Sequence, residues 1–193
     1  LNPHNVGDAY YVYGTFPIIA TRYLVGSIFE MAGWEQILQV GRAFSAIMDM
    51  VTVFLVYLLG SRLFSRKIGV ISAAFSAFAV MQIQQSHFYT ADSFSTTFTT
   101  MALYFAARLA TQPLSEGYPG VSQKWYQSET VRNSIWFGVA IGMAMACKIN
   151  TGLMAVQLPA AWFIYWMRHP KQQRVDLVYN AMRDLLIGGF FAV

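Results

Sequence analysis

The chain has 193 residues, of which 56% are hydrophobic, 16% aromatic and only 11% charged, with a mean hydropathy of +0.42. That composition excludes a disordered tail, which could not bury enough apolar surface to offset its chain entropy, and it argues against an ordinary soluble domain, in which about 25% of residues are charged. The single cysteine, Cys147, excludes an internal disulfide framework and a cysteine-based zinc site, and the net charge of +4 would indicate nucleic acid only if Lys and Arg gathered on one water-exposed face.

The chain opens on Leu1 without the basic n-region and apolar h-region of a signal peptide, and it stops at Val193 inside an apolar run that begins at Leu185. It is therefore expected to be part of a longer protein. Residues 1–39 hold Asn2, Pro3, His4, Asn5 and Asp8, then Tyr10, Tyr11 and Tyr13. Tyrosines at this point suit either a headgroup-level aromatic belt or stacking on a sugar. The apolar run from Phe16 to Phe29 is interrupted by Thr21, Arg22 and Gly26, which predicts an interfacial or re-entrant helix rather than a full span.

A series of apolar runs follows. The first extends from Ala43 to Leu63, broken only by Asp49, and the second from Ile68 to Ile83, ending in the polar cluster Gln84, Gln85, Ser86 and His87. The third, from Phe94 to Leu109, is mixed with Ser and Thr, whose hydroxyls can bond back to the backbone or across to a neighbouring helix. After a polar stretch from Thr111 to Arg132 come Ser134 to Ala146 and Leu153 to Met167, which meet near Lys148, and a last run starts at Leu185. A hydrocarbon layer about 30 Å thick needs roughly 20 helical residues, and consecutive runs with short connections exceed what buried core helices explain. They are also too long and too little alternating for a barrel. The expected fold is all-α: a polytopic transmembrane helical bundle with an external N-terminal loop and interfacial helix.

The basic residues orient it. Strict alternation groups Arg62, Arg66, Lys67, Arg108, Lys124, Arg132, Arg168, Lys171, Arg174 and Arg183 on one side and leaves Arg22, Arg42 and Lys148 on the other. The richer side is cytoplasmic by the positive-inside rule, so Asp8, Glu30, Glu35 and Asp92 face outward. The cations mark membrane topology, and nucleic acid is not an expected partner.

Within the cluster from Gln84 to Asp92, the pair Asp92 and Ser93 can cap an incoming helix, where an acceptor side chain and a negative charge suit exposed N–H groups. The same Asp92, five residues after His87, also offers a carboxylate able to hold a metal or orient a hydroxyl, beside an imidazole able to bind phosphate or move a proton. Lys148, between two short apolar segments, either snorkels to the interface or contacts an anion, most naturally a phosphate. Asp49 lies two turns inside its span without an assigned role. Gly138, Gly142 and Ala146 form a small-xxx-small packing stripe, and Trp162 and Trp166 read as belt residues.

Several segments resemble the polytopic GT-C glycosyltransferases, specifically the protein O-mannosyltransferase and aminoarabinose-transferase-like group. They are Gly41-Arg42-Ala43-Phe44-Ser45-Ala46, Tyr57-Leu58-Leu59-Gly60-Ser61-Arg62-Leu63-Phe64, Ser86-His87-Phe88-Tyr89-Thr90-Ala91-Asp92, and the Gly- and Ala-rich run from Gly138 to Lys148. Leu1-Asn2-Pro3-His4 and Tyr11-Val12-Tyr13-Gly14-Thr15 look like the later part of that group's first external loop. The resemblance implies a partial GT-C transmembrane domain over residues 1–193. In it, 1–40 belong to the first external loop, and 41–193 form about five to six membrane segments, the last truncated.

It further implies an integral protein of the bacterial cytoplasmic membrane with its active face outward. Such an enzyme moves a sugar from a polyprenyl-phosphate donor to a protein, lipid or glycan acceptor among membrane lipids. In this group the general base lies in the first external loop, here before Leu1, so the chain alone is expected to be catalytically incomplete. Asp92 and the supporting His87 are the catalytic candidates, Lys148 and Arg42 the substrate-binding ones, and a divalent metal ion is a possible cofactor. The rival reading is a transporter or flippase with Asp49, Asp92 and Lys148 lining a path, although no internal repeat of the transporter kind is present. A non-catalytic membrane scaffold would instead tolerate alanine across the polar cluster.

Overall fold

The computed structural model describes residues 14–28, 33–113, 128–170 and 174–192. Asp8, the tyrosines at 10, 11 and 13, Glu30, Lys124 and Lys171 lie outside them. The described residues form helices and no strand: α1 (Phe16–Ile28), α2 (Trp34–Leu63), α3 (Arg66–Ala77), α4 (Val80–His87), α5 (Ala91–Ala110), α6 (Glu129–Cys147), a 3₁₀ segment (Ile149–Val156), α7 (Gln157–Arg168) and α8 (Arg174–Ala192). The all-α expectation is met.

Helix α2 is 30 residues long, about 45 Å at 1.5 Å per residue. Glu35 in its first turn and Arg62 in its last complement the helix dipole. Its buried positions are mostly small, Gly41, Ser45, Thr52 and Gly60, while Ile47, Met50 and Phe54 are exposed. A bundle that turns small residues inward and large apolar ones outward is built for lipid, because close backbone approach holds its helices together. At the α2–α3 crossing a Cβ on Gly60 would come within 2.9 Å of Gly69 Cα. Thr52 and Thr97 share a buried 2.8 Å hydrogen bond between α2 and α5, and Thr97 Oγ1 also donates to Met48 O at 2.9 Å.

The glycine stripe of α6 does what its spacing predicts. A Cβ on Gly138 would strike the Gly188 carbonyl, and one on Gly142 would lie 2.7 Å from Ala192 O, so α8 rests directly on the α6 backbone. Ala102, Ala106 and Leu109 of α5 meet Phe137 and Ile141 of α6, with Trp162 of α7, in one core. Trp162 therefore does not serve in a lipid-facing belt: it is 3% exposed, since α7 turns that face onto α5. Trp166 is half-buried, and the Arg174 guanidinium lies 4.6 Å from its ring centroid.

The run from Ile68 to Ile83 is not one straight helix. α3 and α4 are bent by 57° at Phe78 and Ala79, and Ser76 Oγ donates across the break to Gln82 Oε1 at 2.9 Å. Amide-rich α4 suits a polar boundary better than hydrocarbon. Among the described residues α2 alone is long and apolar enough to cross a membrane singly, and α3 with α4 qualify together as a broken span. The other helices carry hydroxyls (α5), a Glu129–Arg132 ion pair (α6) or Arg183 and Asp184 (α8), or are short (α7).

The two ends of the bundle differ. At one, Arg62 Nε donates to Thr111 Oγ1 (2.8 Å), and Arg168 Nη1 donates to the carbonyls of Ala110 (2.7 Å) and Gln112 (3.2 Å). Two guanidiniums thus serve the negative end of α5, supplying partners to carbonyls that a helix terminus leaves unpaired. The ends of α2, α5 and α7 coincide there, as alternating chain direction requires. The opposite end holds the candidate residues.

Candidate active site

Helix α5 begins after Thr90, whose backbone is extended and whose side chain does not cap the helix. Asp92 lies in the first turn rather than at the cap, so capping does not occupy its carboxylate. Helix α6 stops at Cys147 because Lys148 adopts φ −156° and ψ 113°, and the chain resumes as the 3₁₀ segment. This break swings the lysine toward α5. Lys148 Nζ donates to Asp92 Oδ1 at 2.8 Å, and the two side chains are 30% and 37% exposed. The anion sits at the positive end of α5 and the cation at the negative end of α6, so each dipole favours its charge.

Both residues of the pair line a cleft of about 340 Å³, together with Ser95, Thr96, Thr99, Thr100, Asn150 and Thr151, with Met154 as its apolar member. Residues 92, 95, 96, 99 and 100 fall on one face of α5, as the i, i+3, i+4 rule dictates. The cleft therefore runs from the ion pair down the helix. Thr99 and Thr100 donate to the carbonyls of Ser95 (2.7 Å) and Thr96 (2.8 Å), and Thr151 donates to Lys148 O (2.7 Å). With those protons committed, their oxygens remain as acceptors.

Tyr89 ties three helices together behind the pair. Its hydroxyl donates to Pro17 O at 2.6 Å and shares a 2.8 Å hydrogen bond with Thr21 Oγ1, both on α1. Its ring covers Gly41 of α2 so closely that a Cβ there would lie 2.6 Å from ring carbon. Phe94 packs edge-on against both Tyr89 and Phe44. Burial raises the Tyr89 phenol above its ordinary 10.0, so the folded state holds the proton more tightly than the unfolded one. Tyr89 therefore contributes full stability below pH 10, and that contribution falls as pH rises beyond it. Tyr89→Phe is expected to cost about 1–2 kcal/mol, because buried Thr21 loses its partner, and to remove that alkaline limb. Thermal unfolding between pH 7 and 11 checks both.

Gly14 joins the site from the segment before α1. Its N–H donates to Cys147 O at 2.8 Å, and a Cβ at Gly14 would collide with the Ala146 carbonyl. The backbone beside Lys148 is thus held from a second side.

The four sequence candidates separate into two groups. Asp92 and Lys148 are brought into contact. His87 ends α4 with Nδ1 at 2.7 Å from Ile83 O; a carbonyl only accepts, so Nδ1 carries the proton and Nε2 is the accepting nitrogen. Arg42 is exposed on α2, next to the glycine under Tyr89. Both lie at this end of the bundle, and neither lines the cleft. Asp49 is half-buried on α2 and forms no ion pair among the described residues.

No group of three or more His, Cys, Asp or Glu side chains that could hold a metal ion occurs among the described residues. Sequence reasoning assigns no role to Tyr89 or Gly14, although both fall within segments that carry the resemblance.

Neither the comparison with curated proteins nor that with solved structures finds a match. The family model described as dolichyl-phosphate-mannose-protein mannosyltransferase matches residues 19–182. That stretch runs from α1 into α8 and takes in Arg42, His87, Asp92 and Lys148. The chain belongs to the dolichyl-phosphate-mannose-protein mannosyltransferase family, a family of membrane glycosyltransferases.

Proposed function

We propose that this chain forms part of a membrane enzyme that takes a sugar from a polyprenyl-phosphate donor and transfers it to an acceptor hydroxyl on the outward face. The observation that carries the reading is the Asp92–Lys148 pair in the wall of a hydroxyl-lined cleft, inside the stretch that matches the family. In this reading α2, the broken α3–α4 pair and the helices from α5 to α8 all cross or enter the membrane. The Arg62 and Arg168 end is cytoplasmic, by the positive-inside rule.

A donor with an apolar tail and a charged head needs a site at the bilayer boundary, with cationic groups for its phosphate. Lys148 meets the phosphate. As the bond from the anomeric carbon to the phosphate oxygen breaks, the ammonium stabilises the charge that develops on the leaving lipid phosphate. The acceptor oxygen forms the new bond to that carbon and gives up its proton to a base supplied outside residues 14–192. Asp92 acts as the anchor that keeps Lys148 aimed into the cleft, and Arg42 and His87 flank the approach from α2 and α4.

Transfer of labelled mannose from a polyprenyl-phosphate donor by the full-length protein in membranes tests the reading. Time-dependent loss of labelled donor with appearance of labelled acceptor is expected. Transport of the donor without consumption of the sugar-phosphate bond would overturn it in favour of a flippase.

A further inference from the structure

We propose that Gln85 is a positioning residue for the transfer reaction, one that holds the first turn of α5 so that Asp92 meets Lys148; the inference rests on the sugar transfer proposed above. Three residues, Phe88 to Thr90, join α4 to α5. Gln85, half-buried in the last turn of α4, collects donors from both sides of Asp92. Thr90 Oγ1 donates to its side-chain Oε1 at 3.0 Å. Its backbone carbonyl accepts from Ser93 Oγ and from Phe88 N, each at 3.3 Å. Thr90 and Ser93 bracket Asp92, so one glutamine holds the chain on either side of the carboxylate.

The place of Thr90 makes its bond informative. Thr90 is the N-cap of α5, where a threonine oxygen ordinarily accepts from the open amides of the first turn. Its backbone is extended as that role requires, yet its side chain makes no capping bond, because the hydroxyl is turned onto Gln85. A helix end that forgoes an available cap breaks a local rule, and such breaks gather where function sets the geometry. Without the Gln85 acceptor the hydroxyl is free to turn back onto the amides of Asp92 or Ser93. The first turn of α5 would then be set by its own cap and no longer by α4. Asp92 stands on that turn, and its 2.8 Å contact with Lys148 joins two helices, so a small rotation is enough to part them. The following turn is anchored elsewhere: Thr97 Oγ1 donates to Ser93 O at 2.9 Å and bonds Thr52 of α2. Gln85 supplies the hold from the α4 side.

The test measures mannose transfer from a polyprenyl-phosphate donor, and thermal unfolding, for the full-length parent and for Gln85→Met, Thr90→Val, the double variant and Thr90→Ser. Methionine keeps the length of glutamine without its acceptor, and valine keeps the shape of threonine without its hydroxyl. Each of the first two changes is expected to lower turnover about tenfold, less than the roughly hundredfold that a misplacement of about 1 Å costs, with the unfolding temperature unchanged. The double variant should lose the same factor of about ten and not about a hundred, because both changes remove one bond. Thr90→Ser keeps the hydroxyl and should keep the turnover, as should Gln84→Met at the exposed neighbour. Parental turnover by Gln85→Met, multiplying losses in the double variant, or equal losses in Thr90→Ser and Thr90→Val would each overturn the inference and leave the proposed function standing. So would a loss of turnover matched by a fall in unfolding temperature, since Gln85 would then serve stability alone. Absence of transfer by the parent would remove the proposed function and the inference together.

Discussion

Replacing Asp92 by Asn is expected to lower sugar transfer by the full-length protein at least about a hundredfold, the usual consequence of removing a charge that organises transition-state stabilisation. Folding should barely change. Asn keeps the size and most of the hydrogen-bonding capacity of Asp, and an ion pair with side chains 30% and 37% exposed contributes about 1 kcal/mol or less to stability. If the pair were only a clamp between α5 and α6, the charges could be exchanged. The double variant Asp92→Lys with Lys148→Asp would then restore function. With Lys148 as the phosphate contact it does not, because the cation would stand on α5 and the carboxylate where the phosphate must lie. Mannose transfer and thermal unfolding, measured on parent, single and double variants, separate the two. Near-parental turnover by Asp92→Asn, or recovery by the exchanged pair, would sink the assignment.

Gly14→Ala is the second large effect expected. The new methyl would collide with the Ala146 carbonyl, so the segment before α1 must move away from α6 and the Gly14 N–H to Cys147 O bond lengthens or breaks. Overpacking of this kind costs about 1–3 kcal/mol. Transfer should fall about tenfold to a hundredfold, since displacing a reacting group by about 1 Å suffices for that, and Lys148 follows directly on the disturbed turn. Gly26→Ala is the control: nothing lies within 4 Å of a Cβ at Gly26, so that change within helix α1 should be neutral or stabilising by up to about 1 kcal/mol. Equal activities of the two variants would show that the contact at Gly14 does not support the site.

Much of the helical layout is legible in the order of residues because it depends on local pattern. The apolar run after Ala43 marks the greater part of α2, and the glycine and alanine spacing of α6 marks a face that packs against backbone. Arg62, Arg108, Arg168 and Arg174 mark one end of the bundle. Trp162 is ambiguous in sequence because an indole is equally suited to a lipid interface and to a helix-packed core, and the rotation of α7 about its axis chooses between them. The bend between α3 and α4 also escapes a run-length reading, since Phe78 and Ala79 are apolar and lack the proline or glycine that announces a break.

For the candidate site, residue order is enough to show which charges stand at the ends of apolar runs, because a charge in a hydrophobic run is conspicuous wherever it falls. Asp92 and Lys148 are visible in this way. That these two residues, 56 positions apart, meet, while His87 turns back onto its own helix and Arg42 faces outward, emerges from the folded arrangement alone. The same arrangement assigns Tyr89 and Gly14 their work, one bridging α1, α2 and α5, the other filling a space beside Cys147 where a side chain cannot fit. Local periodicity reports which face of a helix is buried. Which residue of another helix lies opposite depends on crossing angle, axial rotation and the breaks between helices, and those are set by contacts distant in the chain.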